Sequence, residues 1–214
     1  MGCYNKIIHF SNYYYNEGLE KASVRDLSGA AECLGKSLRF FKGNIKARNL
    51  LGLVYFEMGE IVQALREWVI SENFQSDENI AKTYIGELQA DRNYIAGVNQ
   101  TIKKYNQAIY YANNGSEDLA ILQLKKVVNM NDKFVKAYQL LALLYLKQEE
   151  YIKAKENLRK AGRIDTNNTT TLKYLRQANQ QLHGDQLSKT GKKDISEEAR
   201  EYKSGNETII KPPS

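Results

Sequence analysis

Hydrophobic residues recur along this chain at spacings of three and four, the period of a helix with one buried face. The first clear stretch is Leu27, Ala30, Leu34 and Leu38. Proline occurs only at positions 212 and 213, so residues 1–211 contain no helix breaker of that kind. The pattern predicts an all-α chain of about ten helices. Its early members are expected at about 4–22, 27–40, 45–58, 61–73 and 77–90, and a further helix starts at about 93.

Small residues repeat at intervals of 34 within this helical pattern. Gly18 and Gly52 are 34 residues apart, and so are three pairs of alanines: 30 and 64, 108 and 142, 120 and 154. Small side chains let two antiparallel helices approach to roughly 8–10 Å between axes. The interval therefore predicts four helix pairs, at 11–44, 45–78, 101–134 and 135–168, separated by a helical insertion at 79–100.

One stretch, KARNLLGLVYFEMGEIVQALREW at 46–68, carries a specific signature. Leu51-Gly52, Tyr55, Ala64 and Trp68 resemble the leucine-glycine, tyrosine, alanine and aromatic positions of the tetratricopeptide repeat. The resemblance implies a right-handed superhelical α-solenoid whose concave surface binds a protein or peptide partner. Residues 1–183 form this array, in which the amphipathic stretch 169–183 is a capping helix. Residues 184–214 have mixed charge and almost no apolar pattern, which predicts a flexible, trypsin-sensitive tail.

The site expected from this resemblance is the concave surface, because positions 2, 5, 6, 9, 12 and 13 of each repeat face inward in the family. The residues assigned to it are Tyr15, Lys46, Asn49, Leu50, Leu53, Phe56, Tyr105, Asn106, Ile109, Lys136, Gln139, Leu140, Leu143 and Leu146. The groove is then apolar, with Lys46, Lys136 and Lys147 favouring acidic flanks in the partner. Two alternatives remain open: the leucines are exposed and bind a partner, or neighbouring helices cover them.

Family members that hold the acidic C-terminus of chaperones use a clamp of lysine and asparagine on this surface. Tyr15, Leu19, Leu50, Ile102 and Asn106 occupy those places here, so that ligand class is not expected.

Catalytic and metal-binding chemistry is not indicated. The two histidines, His9 and His183, lie near opposite ends of the array, and no glycine-rich phosphate loop occurs. Cys3 and Cys33 have no metal-ligand spacing, and Cys33 is expected to act as a small core residue in a reducing compartment. We therefore predict no enzyme activity, no cofactor and no metal.

The net charge of +6 is spread over helix faces rather than clustered, so nucleic acid is not the expected partner. A nucleic-acid-associated or regulatory binding protein that uses its basic surface remains the alternative function. The longest apolar runs have seven residues, against the roughly 20 that span a bilayer. A cytoplasmic location is expected.

The two ends of the chain, Ile7–Gly18 and Tyr202–Ile210, resemble a bacterial family of tetratricopeptide proteins. In its longer members the corresponding tail leads into a single membrane-spanning helix. The resemblance implies that this chain is the cytoplasmic repeat module of such a protein, or a shortened form of it, and it brings no biochemical activity.

Overall fold

A computed structural model describes residues 3–183, so the predicted tail at 184–214 lies outside the described residues. All regular structure within 3–183 is helical, as predicted. The helices are α1 (Cys3–Ser23), α2 (Leu27–Phe40), α3 (Ile45–Glu57), α4 (Ile61–Phe74), α5 (Ile80–Ala90), α6 (Arg92–Asn113), α7 (Glu117–Met130), α8 (Val135–Lys147), α9 (Tyr151–Ile164) and α10 (169–183).

Four antiparallel helix pairs make up the array: α1 with α2, α3 with α4, α6 with α7, and α8 with α9. In the first two pairs, a small residue of the first helix meets a large one of the second. A Cβ built on Gly18 would lie 2.7 Å from the Leu34 Cγ, and one on Gly52 would lie 2.2 Å from the Trp68 Nε1. The alanines that recur at 34-residue spacing all have 0% exposure. The predicted all-α solenoid of helix pairs is therefore confirmed.

The turn inside each pair contains one residue with a left-handed backbone. These residues are Arg25, Gly59, Gly115 and Glu149, with φ values of 60°, 73°, 74° and 61°. Glycine adopts this conformation without steric cost, whereas arginine and glutamate do not. The equivalence of the four turns shows that the repeats share backbone geometry even where their sequences differ.

The insertion is helical, as the spacing of its apolar residues predicts. Its first helix, α5, begins at Ile80 rather than at 77, because the Asn79 side chain caps it by accepting a hydrogen bond from the Ala81 backbone N–H. It packs on α4, where the rings of Trp68 and Tyr84 are 5.0 Å apart. The rest of the insertion is the first part of α6, which at 22 residues is longer than its partner α7.

The two halves of the array, α1–α4 and α6–α9, meet at a junction that the repeat pattern does not predict. We define the junction as the turns 24–26 and 58–60 of the first half with the loops 131–134 and 165–168 of the second. The Val135 N–H donates to the Met58 carbonyl, the Asn131 side chain to the Gly59 carbonyl, and the Thr166 N–H to the Arg25 carbonyl. One apolar cluster contains α2 and α3 residues together with Val135, Tyr138 and Ala161.

Gly59 is the point of closest approach at the junction. A Cβ there would lie 2.6 Å from the Phe134 backbone nitrogen, so the contact leaves no room for a side chain. The two halves of the array are therefore in direct contact. The loops 131–134 and 165–168 of the second half pack against the turns 24–26 and 58–60 of the first.

Candidate functional site

The predicted concave residues differ widely in exposure. Four are exposed: Lys46, Asn106, Lys136 and Leu143. Eight are half-buried: Tyr15, Leu50, Leu53, Phe56, Tyr105, Ile109, Gln139 and Leu140. Two, Asn49 and Leu146, are buried.

Contacts with neighbouring helices explain why Asn49 and Leu146 are buried. The Asn49 side chain donates to the Asn79 side-chain oxygen over 2.8 Å and so joins α3 to the start of α5. Leu146 is 8% exposed within the core of the second half, whereas Leu143 on the same helix is 39% exposed. Neither alternative for the leucines holds throughout, because exposed, half-buried and buried side chains all occur among them.

Four of the predicted residues, from three repeats, line one cleft of about 510 Å³: Phe56, Tyr105, Asn106 and Lys136. The end of α3 and start of α4 form one side, the first part of α6 forms the second, and the loop before α8 forms the third. The other lining residues are Gly59, Glu60, Ile61, Val62, Gln63, Tyr94, Gly97, Val98, Thr101, Ile102, Met130, Asn131, Asp132, Lys133 and Phe134.

Aromatic rings form much of the cleft wall. The rings of Tyr105 and Phe134 are 4.8 Å apart, and the Lys133 Nζ lies 5.5 Å from the centre of the Phe56 ring. Burial raises the pKa of the Tyr105 hydroxyl, and the nearby Glu60 carboxylate adds to this effect. The hydroxyl is thus neutral at physiological pH and presents an aromatic surface without charge.

The lysines at the cleft are already paired with carboxylates within the chain. The Lys136 Nζ lies 2.7 Å from the Glu60 carboxylate, which is only 3% exposed, and the Lys133 Nζ lies 2.9 Å from Glu57. Lys147, farther along α8, pairs with Glu117. Two of the three lysines expected to favour acidic flanks, Lys136 and Lys147, are therefore neutralised by carboxylates of their own chain.

A second, more open hollow lies on the exposed side of α6. It is lined by Asn99, Ile102, Lys103, Asn106, Gln107, Tyr110 and Tyr111. Ile102 and Asn106 line both hollows and form the ridge of α6 that separates them.

Several cleft residues were missed from the sequence. Tyr94, Gly97 and Val98 belong to the insertion. Met130 ends α7 and the loop 131–134 follows it, where the repeat frame assigns no concave position. These segments meet Phe56 only because the junction brings the halves together. A repeat pattern contains no signal for that contact.

Metal-site and membrane-spanning features are both absent from the described part of the chain. No group of three or more histidine, cysteine, aspartate or glutamate side chains in 3–183 has the arrangement of a metal site. No helix in the same range is long and apolar enough to cross a membrane.

No protein-family model and no curated protein matches this chain. Solved structures do align with it, among them that of MamA protein, which has 20% identity, 95% coverage of this chain, 98% of the other and a TM-score of 0.38. The Pseudomonas aeruginosa PilF structure has 15% identity, covers 85% and 72%, and has a TM-score of 0.35. YrrB, described as a TPR protein with an unusual peptide-binding site, has 20% identity, covers 80% and 96%, and has a TM-score of 0.33.

The TM-scores of these superpositions are all below 0.5. The resemblance to a repeat type therefore depends on the spacing and contacts within this chain. Its helix pairs have the 34-residue spacing, the glycine and alanine contacts at 18, 30, 52 and 64, and the aromatic at Trp68. The described part of the chain is an array of antiparallel helix pairs whose spacing and small-residue contacts resemble those of the tetratricopeptide repeat.

Proposed function

We propose that this protein is an interaction scaffold that binds a segment of a partner protein in the cleft between α3, α6 and the loop before α8. The observation that carries the proposal is the convergence of Phe56, Tyr105, Asn106 and Lys136 at one cleft. Its volume lies within the roughly 300–1,000 Å³ of typical ligand pockets, and its walls are mostly apolar and aromatic. A large apolar side chain of a partner could be buried there, as at the centre of most interaction hot spots.

The cleft is bordered by parts of the chain that are far apart in sequence. The α3–α4 turn, the first part of α6 and the loop 131–134 each supply one wall. A segment bound there contacts both halves of the array and stabilises the junction by mass action. Binding is therefore expected to raise the melting temperature of the protein.

Gly97 offers a direct test because it lines the cleft on α6. A Cβ added there would meet no heavy atom within 4 Å, so Gly97→Leu should fill part of the cleft without displacing the fold. Leucine also favours a helix over glycine by roughly 0.5–1 kcal/mol. Gly86→Leu is the matched control, since Gly86 on α5 is equally open and is not a cleft residue.

The experiment is a pull-down from lysate of the source organism with the wild-type protein and both variants, read by mass spectrometry. We expect a protein that is retained by wild type and by Gly86→Leu and is lost with Gly97→Leu. Identical retention by all three proteins would refute the cleft as the binding site.

A further inference from the structure

We propose that the partner segment carries a large apolar residue and, within about five positions of it, a lysine or arginine that pairs with Asp132 of the cleft. This inference rests on the proposed function and specifies the chemistry of the segment that the cleft binds. It differs from the sequence-based expectation, in which Lys136 favours an acidic flank in the partner.

The charged residues that line the cleft leave one negative charge unpaired. They are Glu60, Asp132, Lys133 and Lys136. The Lys136 Nζ lies 2.7 Å from the Glu60 carboxylate, and the Lys133 Nζ lies 2.9 Å from Glu57. Asp132 is exposed and forms no ion pair with any residue in 3–183. Of these four lining side chains, Asp132 is therefore the one whose charge is available to a partner.

The two lysines are held by contacts that an acidic partner would have to break. The Glu60 side chain is only 3% exposed, so withdrawing Lys136 would leave a buried carboxylate without its cation, which is costly. Lys133 has, besides its ion pair, its Nζ 5.5 Å from the centre of the Phe56 ring. A basic partner residue opposite Asp132 breaks no ion pair of the cleft.

The loop before α8 fixes the backbone on both sides of Asp132. Before it, the Asn131 side chain donates to the Gly59 carbonyl over 2.9 Å. After it, the Val135 N–H donates to the Met58 carbonyl over 3.3 Å. The carboxylate is thus presented from an ordered backbone, which reduces the conformational entropy lost when a partner binds.

The short distance from Asp132 to the aromatic wall limits the spacing within the partner. Phe134, whose ring lies 4.8 Å from that of Tyr105, follows Asp132 by two positions. The Cα atoms of Asp132 and Phe134 are therefore at most about 7 Å apart. An extended partner covers that distance in about two residues and a helical one in about five. The basic and apolar residues of the partner are thus expected within about five positions of each other.

The test is a selection from a random dodecapeptide phage library on the immobilised full chain. Enriched peptides are then synthesised with a fluorescein label and titrated by anisotropy. We expect them to share a large apolar residue with a lysine or arginine within about five positions. Asp132→Lys should weaken their binding about tenfold or more, since an attraction becomes a repulsion. Asp77→Lys is the matched control, because Asp77 is also an exposed acid in a loop, forms no ion pair in the described range and lies outside the cleft.

An exchange of charges distinguishes pairing at Asp132 from a general loss of binding. A synthetic peptide whose basic residue is replaced by glutamate should bind the wild-type protein about tenfold more weakly than the original peptide. The same peptide should bind Asp132→Lys more tightly than it binds wild type. If Asp132→Lys binds it no better than wild type does, the inference is overturned.

The remaining outcomes separate this inference from the proposed function. Peptides that lose binding with Gly97→Leu but show no basic preference, or an acidic one, would overturn the inference and leave the cleft as a binding site. Peptides that ignore Gly97→Leu, or no enrichment at all, would overturn both. Retention of a labelled polyuridine RNA, with no peptide enriched, would assign the protein to nucleic acid and also overturn both.

Discussion

The junction between the halves can be tested at Asp165, which caps a helix 138 residues away in sequence. Asp165 is 0% exposed, and its Oδ1 accepts hydrogen bonds from the Leu27 and Ser28 backbone N–H groups at 2.9 and 3.2 Å. The third free N–H of α2, that of Gly29, is satisfied by Asp26. The first turn of α2 thus depends on a carboxylate supplied by the loop after α9.

The expected effect of Asp165→Ala follows from these contacts. A buried backbone donor left without a partner costs about 1–3 kcal/mol. Loss of a negative charge at a partly buried helix N-terminus adds about 0.3–2 kcal/mol. Together these losses should lower the free energy of unfolding by about 1.3–5 kcal/mol. For a chain of this size, the melting temperature then falls by roughly 3–20 °C.

Urea and thermal denaturation, followed by circular dichroism, measure this loss. Asp165→Asn keeps an acceptor of the same shape and should cost about 1 kcal/mol. Asp132→Ala is the matched control, since Asp132 is an exposed acid in the other loop of the junction and forms no ion pair in the described structure; it should stay within about 0.5 kcal/mol. Equal midpoints for Asp165→Ala and wild type would show that this contact contributes nothing to stability and would refute the prediction.

Three further predictions rest on burial. Trp68→Ala should lower the free energy of unfolding by about 3–5 kcal/mol, measured by urea denaturation. Trp68 is 2% exposed, and its indole N–H donates to the Asn49 carbonyl. A variant as stable as wild type would contradict the packing of the second helix pair. Leu143→Asp should remain folded by circular dichroism, since Leu143 is exposed. Leu53→Asp should lower stability, because Leu53 packs against the cluster that contains Trp68. Equal stability of the two variants would refute this difference in burial. Burial raises the pKa of the Cys33 thiol and of the Tyr55 and Tyr138 hydroxyls, so the folded state binds these protons more tightly than the unfolded state. The stability that these groups contribute is fully present below the ordinary thiol pKa of 9.0 and is lost as the pH rises above it. The urea midpoint of the wild-type protein should therefore fall above pH 9.0, and it should fall by a smaller amount in Cys33→Ala.

The repeat architecture could be predicted from the sequence because each helix pair is held by contacts of short range. Gly52 meets Trp68 sixteen positions later, and Gly18 meets Leu34 at the same interval. One 34-residue unit contains both partners of such a contact, so the period and the small residues reveal it. The α5 helix was also predictable, since Ile80, Tyr84, Ile85 and Leu88 recur at spacings of three and four residues. Tyr84, Ile85 and Leu88 pack in the cluster of Trp68.

The site was only partly predictable because the exposure of a side chain depends on the helices packed against its repeat. Phe56 and Leu146 occupy the same repeat position, and the family pattern places both on the concave surface. Phe56 contacts Trp68 and still lines the cleft, whereas Leu146 is enclosed in the core of the second half. The pattern gives the direction of a side chain, and the neighbouring helices decide whether a partner can reach it.

The junction explains why the concave side carries one local cleft rather than a groove along its whole length. When the second half packs against the turns at 24–26 and 58–60, the loop 131–134 is placed against the end of α3. Phe134 then contacts both Gly59 and Tyr105. The long α6 then closes the third side of the cleft. If the proposed site is correct, stability and binding depend on the same contacts. A change that opens the junction, such as Asp165→Ala, should then weaken the capture of a partner even though Asp165 lies outside both hollows.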